Sequence, residues 1–294
     1  MNWWDNAVGY EVYIRSFSDS NGDGIGDFDG LTERLDHLAW LGVDAVWVTP
    51  FYPSPQYDFG YDVADYEDVD PAYGDMDAFR RFADRARELG LRVMVDLVPN
   101  HTSSHHPWFR KALADPTSPE RDYYIFRPGR DGGPPNNWVS HFGGPAWTLD
   151  EKSGEYYLHL FHREQPDLNW SNPAVRDEFD RIIQFWIEQG VDGFRIDVAH
   201  ALMKDQELRD NPQILPLAED ATPNEAMAAF EHIHDHSQES TKEIYQRWKS
   251  LPGADRVLLL GEVYVNDVAK SASYMGIGGL DLCLFFALNR RERS

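Results

Sequence analysis

The sequence predicts an α/β fold in which parallel strands alternate with covering helices. Three observations predict it. Short apolar runs recur along the 294 residues, most of them nearly unbroken, as expected for parallel strands covered on both faces. Between them lie segments of helical periodicity with recognisable ends. The order strand, helix, strand is the rhythm of βα units.

VGYEVYIRSF (8–17) reads as the first strand, VDAVWVTP (43–50) as the second and LRVMVDLVP (91–99) as the third. VDGFRIDVA (191–199), RVLLLGEVY (256–264) and LDLCLFFAL (280–288) follow. In the helix before the third strand, Asp75 is placed to cap and Gly90 to end. Phe79, Phe82, Ala83 and Ala86 share its apolar face. In NPAVRDEFDRIIQFWIEQG, Asn172 caps and Pro173 takes the first position. Val175, Phe179, Ile182, Ile183 and Trp186 form the stripe, and Gly190 ends it. Residues 100–171 break the rhythm with His, Pro, Gly, Asn and Trp. A structureless loop of that length does not suit a compact domain, so a small subdomain inserted after the third strand is expected. The main domain then comprises 1–99 and 172–294 around the insert 100–171. Residues 204–224 read as another long loop.

Hydrophobic residues are 42% and charged residues 26%, as in ordinary globular proteins. The net charge of −23 argues against nucleic acid and anionic membranes as partners. One cysteine, Cys283, excludes an internal disulfide and suits a reducing compartment. The start MNWWDNAVGYEVY has no basic and apolar leader pattern, and no run approaches the roughly 18 apolar residues of a membrane span. A cytoplasmic protein is expected.

In GFRIDVAH (193–200), Arg195 and Asp197 stand two residues apart, so on a strand they share one face. A charge there is costly unless paired. The pair is either a structural ion pair or an active-site carboxylate held by an arginine. Two further strands end in a carboxylate, VDLVPNH at Asp96 and LLLGEVY at Glu262. Catalytic groups gather at strand C-termini in parallel barrels, and paired carboxylates suit glycoside hydrolysis. The loop DSNGDGIGD presents Asp19, Asn21, Asp23 and Asp27 at alternating positions, hard oxygen donors that suit calcium. Gly30 at its twelfth position excludes an EF-hand. His232, His234 and His236 fall in a segment that reads as helical, where i and i+2 do not face each other. They read as a solvated helix surface.

DLVPNHTS (96–103), GFRIDVAH (193–200) and LLLGEVY (258–264) resemble three motifs of the α-amylase superfamily of glycoside hydrolases. QPDLNW (165–170) and GDFDGLTERLDHLAWLGVDAVWVTPFYPSP (26–55) resemble its α-glucosidase and oligo-1,6-glucosidase branch. The resemblance runs from about residue 3 to about residue 288 and implies a (β/α)8 TIM barrel. It implies that Asp197 is the nucleophile, Glu262 the general acid/base and Arg195 the group that orients the nucleophile and lowers its pKa. Glu262 is expected to have a raised pKa, so that it can give up a proton. Asp58 and Tyr61 match residues around the terminal glucose, and His101 a histidine that bonds one of its hydroxyls. Asp96 and Asn100 are expected to act as scaffold, and Phe142 and Phe161 either line the pocket from the insert or belong to the core. The resembling glucosidases carry one structural calcium in a loop like 19–27, with the Ile25 carbonyl as a further ligand. The expected substrate is an α-glucosidic oligosaccharide. Maltose- or sucrose-active transglycosidases and isomerases share the motifs and remain alternatives, as does a catalytically inactive fragment.

Six strands are legible where a full barrel has eight. At about 30 residues per βα unit, two more need roughly 60 residues. The Asn-His-Asp motif that the resemblance implies at a seventh strand is absent, and the text turns to NRRERS. The expectation is an incomplete barrel of about six βα units with open edges. Such a chain should be poorly soluble, oligomeric or marginally folded, with little turnover.

Overall fold

The computed structural model describes residues 2–218, 220–265, 267–284 and 286. The chain opens with strand β1 (Gly9–Val12), a helical turn α1 (Ile14–Phe17), helix α2 (Phe28–Leu41) and strand β2 (Ala45–Val48). Helix α3 (Met76–Glu88), strand β3 (Arg92–Leu97) and helix α4 (Pro107–Ala114) follow. Strands β4 (Phe126–Pro128), β5 (Trp147–Asp150) and β6 (Glu155–Leu158) form a separate antiparallel sheet in the order β4-β6-β5. Helix α5 (Pro173–Glu188) leads to strand β7 (Gly193–Ile196). Then come helices α6 (Pro223–Ala228) and α7 (Thr241–Lys249), strand β8 (Leu258–Gly261), helix α8 (Val268–Ala272) and strand β9 (Leu282–Cys283).

The main sheet is parallel throughout, in the order β1-β2-β3-β7-β8-β9. It is the curled partial sheet of an α/β barrel. Its two faces differ. Val46, Val48, Val93, Val95, Leu97, Phe194, Ile196 and Leu259 point to the helices and join the large core. There Trp186 of α5 meets Phe51 and Phe79, at 5.4 and 5.0 Å between ring centres. The opposite face carries Ala45, Trp47, Met94, Leu258 and Leu260, and Trp3 and Trp4 pack with them. Toward the strands' carboxyl ends, that face becomes polar.

The expected caps are present. The Asp75 side chain accepts from Ala78 N–H, and Asn172 accepts from Ala174 N–H with Pro173 in the first turn. The first strand is shorter than expected. It ends at Val12, and the chain turns helical over Ile14–Phe17. The loop read as 204–224 ends early, because α6 begins at Pro223 behind a capping box of Thr222 and Glu225. The segment holding His232, His234 and His236 has no helix. The sixth strand is expected over 280–288, and its ladder covers Leu282–Cys283. Phe285 and residues 287–294, NRRERS among them, lie outside the described residues. Among the described residues, no helix is long and apolar enough to cross a membrane.

Helix α2 is locked to the loop before it. Asp27 caps it by accepting from Gly30 N–H at 2.6 Å. A Cβ on Gly30 would stand 2.2 Å from the Ser18 carbonyl oxygen. Alanine normally stabilises a helix interior over glycine by about 1 kcal/mol. Here the backbone contact reverses that gain. Gly30→Ala is expected to lower stability by about 1–3 kcal/mol in urea unfolding.

Candidate active site

Strand register builds the site. The β3–β7 ladder sets Asp96 beside Arg195, and the β7–β8 ladder sets Ile196 beside Gly261. Asp197 and Glu262 are the next residues on their chains, so both leave the sheet at its carboxyl end. Arg195 Nη1 lies 2.6 Å from Asp96 Oδ1 and 2.7 Å from Asp197 Oδ1, and its Nη2 lies 2.9 Å from Glu262 Oε1. Three carboxyls thus share one guanidinium, which the fork geometry of arginine allows. Asp96 also accepts from Trp47 Nε1 at 2.9 Å.

The turn after β7 is strained. Val198 has φ 47°, in the left-handed region that a β-branched residue rarely adopts. In that conformation its N–H donates to Glu262 Oε2 at 3.1 Å. Ala199 N–H donates to the Glu262 carbonyl at 3.0 Å. The turn therefore ties the end of β7 to the residue that follows β8.

All eight residues expected at a sugar site line one cavity of about 420 Å³. They are Asp58, Tyr61, His101, Phe142, Phe161, Arg195, Asp197 and Glu262. His141, Val198 and Tyr264 line it too and were not foreseen. Gln165 is a further unforeseen member. Its amide nitrogen lies 2.9 Å from Asp58 Oδ2 and 3.0 Å from His101 Nε2, and so holds both in place. Behind it, Lys204 is buried between Asp167 Oδ2 and Asn100 Oδ1, each at 2.7 Å, and the Asn100 amide reaches His101 Nδ1 at 3.2 Å. Gln165 and Asp167 lie inside the QPDLNW motif, which was their signal. Lys204 carried none, because a lysine beside Asp205 in a loop reads as solvated.

Against burial, Arg195 pulls the Asp197 pKa down, as expected. Burial pushes the Asp197 carboxyl well above the ordinary range, against the opposing pull of Arg195. Asp96 is pushed up to about 6 by burial, with Arg195 and Trp47 opposing. At Asp197 the one cation is opposed by burial and by the neighbouring Glu262 and Asp96 carboxyls. Burial keeps the Tyr61 hydroxyl neutral and lowers His101, which is an uncharged imidazole.

The loop 19–27 stands apart from the cavity. Asp19 accepts from the N–H groups of Asn21, Gly22 and Gly24, Asn21 from Asp23, and Asp23 from Ile25. These backbone bonds hold the Asp19 pKa down, Gly24 most of all. The donors are hard oxygens on an exposed, pre-formed loop, and they fit a hard cation. Asp27 fits less directly, since its two oxygens already accept from Gly30 and Ser20.

The histidines 232, 234 and 236 do not lie on a solvated helix surface. They sit on an irregular loop, with His236 and Asp235 buried. The expected helical spacing fails because Ser237 N–H bonds the His200 carbonyl at 2.6 Å and folds the segment inward.

Comparison with known proteins agrees with this geometry. Residues 11–293 match the family described as the α-amylase catalytic domain. A probable α-glucosidase of Rhizobium meliloti (strain 1021) is 46% identical over 254 residues, covering 85% of this chain and 46% of that protein. A probable oligo-1,6-glucosidase 2 of Bacillus subtilis (strain 168) is 40% identical over 296 residues, covering 99% of this chain and 50% of that protein. The chain spans about half the length of these curated relatives. Among solved structures, the α-glucosyl transfer enzyme XgtA superposes with a TM-score of 0.90 at 41% identity, covering 96% of this chain and 54% of that one. The shared sheet, the match over nearly all of its residues and these identities show that the chain belongs to the α-amylase catalytic-domain family.

Proposed function

We propose that the chain carries the bond-cleaving site of a retaining α-glucosidase acting on the terminal glucose of α-glucosidic oligosaccharides. One observation carries this reading: Asp197 and Glu262 are held on one guanidinium inside a cavity of small-molecule size. Two carboxyls that share one guanidinium are drawn together, which suits the short separation of retaining enzymes, about 5–5.5 Å.

In this reading Asp197 attacks the anomeric carbon while Glu262 protonates the departing glycosidic oxygen. Glu262 then takes a proton from the incoming water, which cleaves the glycosyl ester. Glu262 is the more exposed of the two side chains, 22% against 9%, as suits the group that meets leaving group and water. Asp58 and His101, aligned by Gln165, receive sugar hydroxyls. Tyr61, Phe142 and Phe161 supply apolar wall. The likeness to a glucosyl transfer enzyme supports a second outcome, in which a sugar hydroxyl replaces water in the same second step. Chromatography of the products from maltose and sucrose separates the two.

The chain is expected to release 4-nitrophenol from its α-glucoside at a low rate. Asp197→Ala should remove at least about 10⁴-fold of the rate, and Glu262→Gln about 10²–10⁴-fold. Turnover that survives Asp197→Ala, or is absent from the folded wild type, counts against the reading.

Asp96 makes stability depend on pH. Its carboxyl ionises near 6 when folded and near 3.8 when exposed. Its contribution is therefore fully present below about 3.8 and lost as pH rises through 6, a change of about 3 kcal/mol. Asp96→Asn should gain that much on the wild type between pH 4 and 7, measured by urea unfolding.

We also propose that Asp19, Asn21, Asp23, the Ile25 carbonyl and Asp27 hold a structural calcium ion. With free calcium at about 100 times its Kd, stability should rise by about 2.7 kcal/mol. EDTA should reverse the gain, and Asp19→Ala should abolish it in thermal unfolding.

A further inference from the structure

The loop after α6 brings two histidines and an aspartate together beside the sugar cavity. The Asp235 carboxyl is fully buried. His232 Nδ1 lies 2.7 Å from Asp235 Oδ2, and His236 Nδ1 lies 2.9 Å from Asp235 Oδ1. The second contact is not a hydrogen bond. Asp235 Oδ1 and His236 Nδ1 are both buried without a hydrogen-bonding partner. Such orphaned polar atoms are expensive in a protein interior.

The far sides of both rings are occupied. His232 Nε2 lies 2.9 Å from the Met227 carbonyl, an acceptor that requires N–H there. His236 Nε2 lies 3.2 Å from His141 Nε2. With the hydrogen of His236 on Nε2, His141 accepts it, and His236 Nδ1 presents a lone pair to the carboxylate, while His232 Nδ1 is hydrogen-bonded to Asp235 Oδ2. The His236 lone pair repels the carboxylate unless a cation lies between them, and a metal there would take the place of the His232 Nδ1 proton. The arrangement is that of metal-ligating histidines, whose second nitrogen donates to an orienting acceptor.

We propose that His232, Asp235 and His236 form a site for a divalent transition metal, of which Zn²⁺ is the best match. One ligand atom from each residue lies within 4.8 Å of the others. Two imidazoles and a carboxylate favour zinc over calcium or magnesium, which take all-oxygen shells. The edge of a tetrahedron with bonds of about 2.0–2.1 Å is about 3.3 Å. The N–O contacts of 2.7 and 2.9 Å therefore open by a few tenths of an ångström when the metal enters. A cavity of about 480 Å³, lined by His232 and His236, gives access and leaves a fourth position for water or a small anion. Lys270, which lines the same cavity, is the nearby positive charge that an anion there would meet.

The site adjoins the sugar cavity. His141 bonds His236 on one side and stacks on Phe161 on the other, with ring centres 4.7 Å apart. Metal binding fixes the tautomer of His236 and through it the position of His141 in the cavity wall.

The test uses the folded chain stripped with chelator. Calorimetric titration with Zn²⁺ should show one equivalent bound that excess Ca²⁺ does not displace. Co²⁺ in its place should give the visible absorption of a tetrahedral site. His232→Ala, whose side chain is partly exposed, and Asp235→Ala should each weaken binding by about 100-fold or more. His234→Ala, on the same loop, should bind as the wild type does. Circular dichroism establishes that each variant is folded, and His232→Ala decides the matter if Asp235→Ala is not. No zinc binding by the folded wild type, or unchanged affinity in His232→Ala, overturns the proposal.

Discussion

The site depends on one buried cation. Arg195 is the only positive group in contact with Asp96, Asp197 and Glu262 among the described residues, and it neutralises charge that burial would otherwise drive out. Its fork also sets direction, because both terminal nitrogens must be satisfied at once. Deleting it would leave Asp96 and Asp197 buried with no cation in contact. The surrounding features follow from that constraint. Trp47 supplies a donor to Asp96, Tyr61 offers a ring face 5.6 Å from the guanidinium carbon, and Val198 accepts a strained backbone to aim an N–H at Glu262.

Much of this was legible in the sequence because the information is local. A strand alternates its side chains, so Arg195 and Asp197 had to share a face. Caps such as Asp75 and Asn172 announce helix starts within four residues. The cavity residues travelled with short motifs, and the fold brought all eight together. What was not legible is what distance in sequence conceals. Nothing near Lys204 says that it will be buried against Asp167, 37 positions away. What opposes Arg195 at Asp197 was hidden for the same reason. Its arginine partner was visible beside it, but the burial and the two competing carboxyls were not. The loop at 232–236 has helix-compatible spacing, and only its long-range bond to His200 shows otherwise.

The two faces of the main sheet divide the work. The helix side is apolar along its length and provides stability through burial. The other side is apolar where Trp3 and Trp4 cover it and charged where the strands end. Hydrophobic and ionic requirements are thereby separated along the strand axis, so neither dilutes the other. The buried Lys204–Asp167 pair extends the ionic end into the insert, which is how residues from 100–171 come to share a cavity with β7 and β8.

The register between β7 and β8 has a consequence beyond geometry. Ile196 opposite Gly261 places Asp197 and Glu262 level with each other. A slip of one residue would exchange the faces of every side chain on β8 and carry Glu262 away from the guanidinium. Leu258, Leu259 and Leu260 are apolar alike, so the slipped sheet would still find partners for its side chains. Catalytic competence is thus a stricter witness of correct strand pairing than compactness or secondary-structure content. In a preparation of these chains, titratable active centres would count the molecules whose ladder closed in the native frame.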